Sequence, residues 1–283
     1  MTILFVNRLT VIDASLLDPL RGLLGQSWYL DVELEGSLDH QGMVLDFGEV
    51  KKQIKRCVDS EFDHRLLIPA AYSGCRIEDH DGRRDVYFQL ASGARIEHRG
   101  PADACAPIDA ERIDETTLAA AIQYRLKPIL PDNVLRISVN LHAEEIVGAS
   151  YQYSHGLKHH EGNCQRIAHG HRSRIYIFRD GRRSPELESD WAQRWKDSYL
   201  GTKADLKRKF TLDRTAYYHF GYISRQGGFE LILPKRSCYL IDTDSTVENL
   251  ARHICTILKR EHPASEFRVA AFEGVDKGSI SEC

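Results

Sequence analysis

The segment SWYLDVELEG (27–36) alternates apolar and polar residues, the pattern of a β-strand with one buried face, and a further strand is expected over about 3–14. The period then lengthens. Phe47, Val50, Ile54 and Val58 recur three and four residues apart, and Asp46 precedes them as an N-cap with Glu49 three residues on. A helix is therefore expected over about 46–60. Residues 85–99 read as a hairpin turning at Ser92-Gly93. A second helix begins near Asp114 with Leu118, Ile122 and Leu126 on one side, and VLRISVNL (134–141) closes this half as a strand. The second half repeats the order. Strands at about 148–156 and 171–178 precede a polar, tryptophan-containing stretch (about 185–210) and a hairpin around Gly227-Gly228. A capping box from Ser245 to Glu248 opens a helix carrying Leu250, Ile254 and Leu258, and FRVAAFEG (267–274) is the closing strand. The recurrence predicts two packed repeats joined near 142–148 without a Pro/Gly/Ser-rich linker.

Composition narrows the class. With 42% hydrophobic and 28% charged residues in 283, the chain has apolar material for one large or two ordinary globular domains. A net charge of −3 gives no reason to expect nucleic acid, and Lys207-Arg208-Lys209 and Arg182-Arg183 read as solvated surface. The start of the chain does not resemble a signal peptide, and no apolar run approaches the ~20 residues of a membrane span. Seven scattered cysteines without a CxxC pair point to a reducing, cytoplasmic setting.

The candidate chemistry lies in YSHGLKHHEGNCQRIAHGHRSRIYIF (153–178). His169 and His171 sit two apart on an expected strand and so share a face; His155 lies on the preceding strand. An H-x-H pair alone is ordinarily a surface or core feature. Three imidazoles meeting at one point would instead form a zinc site with an open fourth position, and Cys164 beside it would be a base or nucleophile. Asp63-His64 follows the first helix; such a dipeptide is commonplace in loops unless it reaches a reacting group. Glu273 ends the last strand, where carboxylates are usually solvated; a recognising one would be buried and aimed at the N–H and NH₂ edge of a pterin or guanine. His159 and His160 are spare loop histidines.

Taken together, GMVLDFGEVKK (42–52), FDHRLL (62–67), CQRIAHGH (164–171), TVENLARHI (246–254) and FEGVDKG (272–278) resemble the 6-pyruvoyl/6-carboxy-tetrahydropterin synthases. The resemblance implies an α+β fold of tandem T-fold repeats, each an antiparallel sheet with helices on one face, assembling into a barrel as a homo-oligomer. It implies repeats over 1–145 and 146–283, zinc on His155, His169 and His171, and Cys164 as the catalytic thiol. Asp63 and His64 would be the relay, Glu273 the pterin anchor, and Thr246 a contributor to the pterin pocket. Ser15, Leu24 and Gln26 are expected at the metal-ligand positions of the first repeat, and Leu141 at that of the anchoring glutamate. Each repeat thus lacks what the other keeps, so a composite site between unlike repeats is expected. The implied substrate is 7,8-dihydroneopterin triphosphate. Four residues separate Cys164 from His169, between the three of carboxy-forming and the five of pyruvoyl-forming relatives. The carboxy-forming lyase is the first reading, the pyruvoyl-forming enzyme the second. A non-catalytic, zinc-stabilised pterin- or purine-binding protein is the reading from another class.

Overall fold

The computed structural model describes residues 2–38, 40 and 42–283. The first half forms β1 (Thr2–Asp18), β2 (Gly22–Gly36), α1 (Phe47–Glu61), β3 (Leu66–Pro69), β4 (Cys75–His80), β5 (Arg83–Gln89), β6 (Arg95–Pro101), β7 (Cys105–Ile108), α2 (Glu115–Leu126) and β8 (Val134–Ala143). The second forms β9 (Ser150–His155), β10 (His169–Arg179), the short β11 (Arg182–Arg183), α3 (Pro185–Trp195), β12 (Ser198–Thr202), β13 (Leu206–Leu212), β14 (Thr215–Ser224), β15 (Gly227–Pro234), β16 (Cys238–Ile241), α4 (Val247–Glu261), β17 (Phe267–Phe272) and β18 (Gly278–Glu282). The strand orders are β7-β3-β1-β2-β8 and β16-β12-β9-β10-β17-β18, so the halves correspond strand for strand up to β18, with β11 alongside β10.

The sheets are mixed, which corrects the expectation of purely antiparallel ones. β1, β2 and β8 are antiparallel, but β3 and β7 run parallel to β1, and β12 and β16 likewise to β9. Parallel neighbours need a long crossover connection rather than a tight hairpin. Between β3 and β7, and again between β12 and β16, the chain leaves its sheet as a three-stranded meander. The two meanders pair with each other through β6 and β15, making one sheet, β13-β14-β15-β6-β5-β4, common to both halves.

Three apolar clusters hold this arrangement. Ile12, Leu16, Leu24, Trp28 and Leu30 pack on Val50, Ile54 and Val58 of α1 and Leu118, Ile122 and Leu126 of α2. Phe47's side chain lies outside the described residues. Tyr153, Ile175 and Val269 pack on Trp191 and Trp195 of α3 and Leu250, Ile254 and Leu258 of α4. The shared sheet seals the middle with Phe88, Ile96, Phe220, Tyr222 and Phe229.

The halves meet where two glycines allow it. A Cβ on Gly25 would lie 1.8 Å from the Tyr153 carbonyl oxygen, and one on Gly170 would lie 2.5 Å from the Gly25 Cα. Gly25 pairs with Ser15 and Gly170 with Ser154, and the two serine hydroxyls hydrogen-bond at 2.7 Å.

Three local expectations shift. The hairpin at 215–234 turns through Arg225 and Gln226, with Gly227 (φ +131) already in β15. The N-cap of α4 is Thr246, whose hydroxyl accepts from the Asn249 N–H; Ser245 turns inward instead. Cys255 and Cys283 form a disulfide, because α4 and β18 bring together residues that no sequence motif links; five cysteines remain free. No helix among the described residues is long and apolar enough to cross a membrane.

Candidate metal centre and active site

β9 and β10 pair so that His155 faces His169 and Tyr153 faces His171. The three imidazoles are 0–1% exposed, with ring centroids 4.3 Å (His155–His169), 5.2 Å (His155–His171) and 5.6 Å (His169–His171) apart. One ligand nitrogen from each lies within 4.8 Å of the other two. Two of the three Nδ1 atoms are hydrogen-bonded. His155 Nδ1 bonds the Ser245 hydroxyl at 3.0 Å and carbonyl at 3.1 Å, and His169 Nδ1 bonds the Arg166 carbonyl at 3.1 Å. His171 Nδ1 lies 3.2 Å from Asp13 Oδ1, an ion-pair distance without ideal hydrogen-bond alignment. All three Nε2 atoms are buried without a hydrogen-bond partner.

Three orphaned nitrogens in an apolar interior are costly unless something binds them. Burial, reinforced by neighbouring imidazoles, holds the pKa values of His155 and His169 well below the ordinary value, so their lone pairs are free. Donor set, tautomers and orphaned Nε2 atoms all fit a divalent ion such as zinc.

Cys164 sits on the turn Asn163–Gln165 that links β9 to β10. The shared sheet braces this loop: Tyr222 donates to the Gln165 carbonyl at 2.8 Å and Gln226 to Asn163 at 2.9 Å. Against the thiol stands His64 from the other half. The chain leaves α1 and places His64 in the left-handed region, φ +53, a strained backbone for a residue with a Cβ. Two hydrogen bonds hold it there: His64 N–H to the Asp13 carbonyl at 2.7 Å, and Asp13 N–H to Asp63 Oδ1 at 2.8 Å. Asp63 Oδ2 then takes His64 Nδ1 at 2.6 Å, and the ring stacks on His169 at 5.3 Å and 28°. His64, Cys164 and His169 also bring one donor atom each within 4.8 Å of one another. Burial opposes charge on His64, yet hydrogen bonds to Asp63 and Cys164 and their negative charges push its pKa up to about 10.

Glu273 follows β17, with Oε1 4.0 Å from His171 Nε2 and its side chain 22% exposed. Its loop closes by a Glu273 N–H bond to the Lys277 carbonyl. Gly274 (φ +70) has no room for a side chain, since a Cβ would meet Asp13 Oδ1 at 2.4 Å. Thr246 spends its hydroxyl on the α4 cap, beside Ser245. His159 and His160 are exposed.

The site therefore draws Asp63 and His64 from the first half and Cys164, His155, His169, His171 and Glu273 from the second, within one chain. Sequence reasoning missed Asp13 and the role of Ser245. Asp13 stands out in VIDAS only as an acid inside an apolar strand. One assignment in the first half also moves. Because Ser15 pairs with Gly25 as Ser154 pairs with Gly170, the counterpart of His155 is Leu16, not Ser15. Leu16 and Leu24 fill the first-half core where histidines stand in the second. The same register makes Asp197 (φ +54) the counterpart of His64. Asp197 meets Arg21 in a bidentate pair, 2.6 and 3.0 Å.

A family model described as 6-pyruvoyl tetrahydropterin synthase matches residues 18–81 and 146–278, most of the chain. The chain belongs to this family. Every residue of the relay, thiol and histidine cluster falls in the matched segments, whereas Asp13 lies outside them. The 6-carboxy-5,6,7,8-tetrahydropterin synthase of Rickettsia bellii (strain RML369-C) is 34% identical over 70 residues, 24% of this chain and 51% of that protein. Its counterpart in Rickettsia typhi (strain ATCC VR-144 / Wilmington) is 31% identical over the same shares. The chain spans about half the length of the curated relatives it matches. Among solved structures, Plasmodium vivax 6-pyruvoyltetrahydropterin synthase aligns with TM-score 0.38 and 16% identity over 50% of this chain and 97% of its own. The Plasmodium falciparum structure aligns with the same score and identity over 49% and 90%.

Proposed function

We propose that this tetrahydropterin synthase family member is a zinc-dependent 6-carboxytetrahydropterin synthase-like lyase acting on 7,8-dihydroneopterin triphosphate. In this reading it is built from two T-fold units, residues 1–145 and 146–283, with one composite site between them. The observation that carries the reading is the meeting of Asp63-His64 with Cys164 beside three buried histidines whose Nε2 atoms have no hydrogen-bond partner.

His155, His169 and His171 would hold the metal through Nε2. Bound zinc supplies Lewis-acid polarisation of the substrate's side-chain oxygens, which acidifies the adjacent C–H. Cys164, as thiolate, takes that proton on Sγ. His64 as imidazolium stabilises the thiolate before transfer, and Asp63 fixes the tautomer and holds the positive charge. Glu273 accepts the N–H and NH₂ edge of the pterin, and Thr246 borders the same pocket. Triphosphate would then depart, and carbon–carbon cleavage with uptake of one water would leave the carboxyl group on the pterin and release acetaldehyde.

The curated relatives, named as 6-carboxy-5,6,7,8-tetrahydropterin synthases, favour the carboxy-forming product. Incubation with dihydroneopterin triphosphate tests it. Acetaldehyde supports the reading, a pyruvoyl product replaces it with 6-pyruvoyltetrahydropterin synthase, and tight binding without turnover replaces it with a binding protein. The reading includes a cytoplasmic homo-oligomer with no nucleic-acid or membrane partner. The Cys255–Cys283 disulfide runs against cytoplasmic placement, and thiol titration of protein from intact cells decides that part.

A further inference from the structure

We propose that Asp13 is a positioning residue for the metal: a carboxylate supplied by the half without ligands, which fixes the ring of His171. The inference rests on the zinc reading above. Asp13 lies on β1 and is 3% exposed. Its Oδ1 is 3.2 Å from His171 Nδ1 and accepts from the Ser27 hydroxyl at 2.5 Å, while Oδ2 accepts from Lys277 Nζ at 3.0 Å. Of the three ligand histidines, two rest their Nδ1 on neutral acceptors from their own half, Ser245 and the Arg166 carbonyl; only the Nδ1 of His171 faces a carboxylate, and that carboxylate comes from the other half.

The surroundings are shaped to that contact. Gly274 leaves Oδ1 the space a side chain would take, and its N–H is held by the Ser173 hydroxyl at 3.0 Å. Ser27 also accepts from the Arg172 N–H at 3.1 Å, next to His171 itself. The Asp13 main chain meanwhile carries both hydrogen bonds that seat Asp63 and His64. One residue thus sets a metal ligand with its side chain and the proton relay with its backbone. A ligand imidazole that gives Nδ1–H to a carboxylate is locked in the tautomer that leaves Nε2 free, and its ring orientation is fixed.

The bland alternative is that Asp13 only ties the halves together through Lys277. Lys277→Met separates the two, because it removes that tie and leaves Asp13 on His171. The assay uses holoprotein: zinc affinity by competition with a chromogenic chelator, and the visible absorption of the cobalt-substituted protein, with circular dichroism to confirm folding. Asp13→Ala is expected to weaken zinc binding about 10–100-fold and alter the cobalt spectrum. Asp13→Asn, which keeps an oxygen acceptor, should fall between Ala and wild type, and Lys277→Met should keep the wild-type spectrum. Folded Asp13→Ala with wild-type affinity and spectrum overturns the proposal, as does Lys277→Met reproducing the full Asp13→Ala effect. Should Asp13→Ala fail to fold, Asp13→Asn decides: weakened zinc binding supports the role and unchanged binding overturns it. Wild-type protein that takes up neither metal would overturn the zinc reading itself, and this inference with it.

Discussion

Replacing Gly25 with alanine should separate the two halves and disable a site several residues away. A Cβ at that position would stand 1.8 Å from the Tyr153 oxygen and 2.5 Å from the His171 nitrogen. Both are backbone atoms of paired strands, so no side-chain rotation relieves the overlap, and β2 must move away from β9 and β10. Forced overpacking by flexible groups costs about 1–3 kcal/mol; a backbone collision belongs at or above the top of that range, about 3 kcal/mol or more. For a chain of this size that is about 5 °C or more in Tm. Gly93→Ala is the control, since Gly93 (φ +82) has nothing within 4 Å and costs only its backbone strain, about 1 kcal/mol. The moving strand carries Ser27, which holds Asp13 against His171, so zinc affinity should fall with stability. Thermal unfolding and zinc content measured on both variants test this. A Gly25→Ala protein as stable as Gly93→Ala and full of zinc would refute the close approach of the sheets.

The relay residues make a different prediction: His64→Ala and Asp63→Asn should lower kcat by about 10²–10⁴ while the protein keeps its zinc, and loss of metal in either would show that they support the ligands instead. Because relay and thiol meet within one chain, mixing Cys164→Ala with His64→Ala protein should restore no activity, and recovery on mixing would place the two groups on different chains. The His64 pKa, raised from 6.5 to about 10, gives a stability contribution fully present below 6.5 and lost as pH rises through about 10. Denaturation midpoints of wild type and His64→Gln should therefore converge between those pH values, and a constant difference up to pH 10.5 would contradict the ion pair.

Long periodic elements were legible in the sequence, and short buried ones were not. α1, α2 and α4 announce themselves by caps and apolar stripes, and β2 by alternation. LLIP, CAPI, SYLGT and CYLI form β3, β7, β12 and β16, but runs of four or five residues without alternation carry no period to read. They are the strands that make the sheets mixed. In α3, Trp191 and Trp195 are four apart behind Pro185 at the first turn, and ESDWAQRWKD reads from the sequence as a degraded helix although charged neighbours blur its bounds. At the site, His169 and His171 were readable because strand geometry alone gives i and i+2 one face. Asp13 and Ser245 acquire meaning only through folding, since their partners lie in the other half or at the far end of the sheet. The displacement of Ser15 by Leu16 shows the same limit: one residue of register cannot be fixed without the paired strand.

The left-handed corners at His64 and Asp197 occupy matching places, yet one leans on a thiol and the other grips Arg21. If the proposed zinc site is right, only one corner of the pair serves it, and elemental analysis should return one zinc per chain. The Asp197 corner only grips Arg21, so its chemistry is free to change as long as the grip survives, while on the proposed reading the His64 corner has no such latitude.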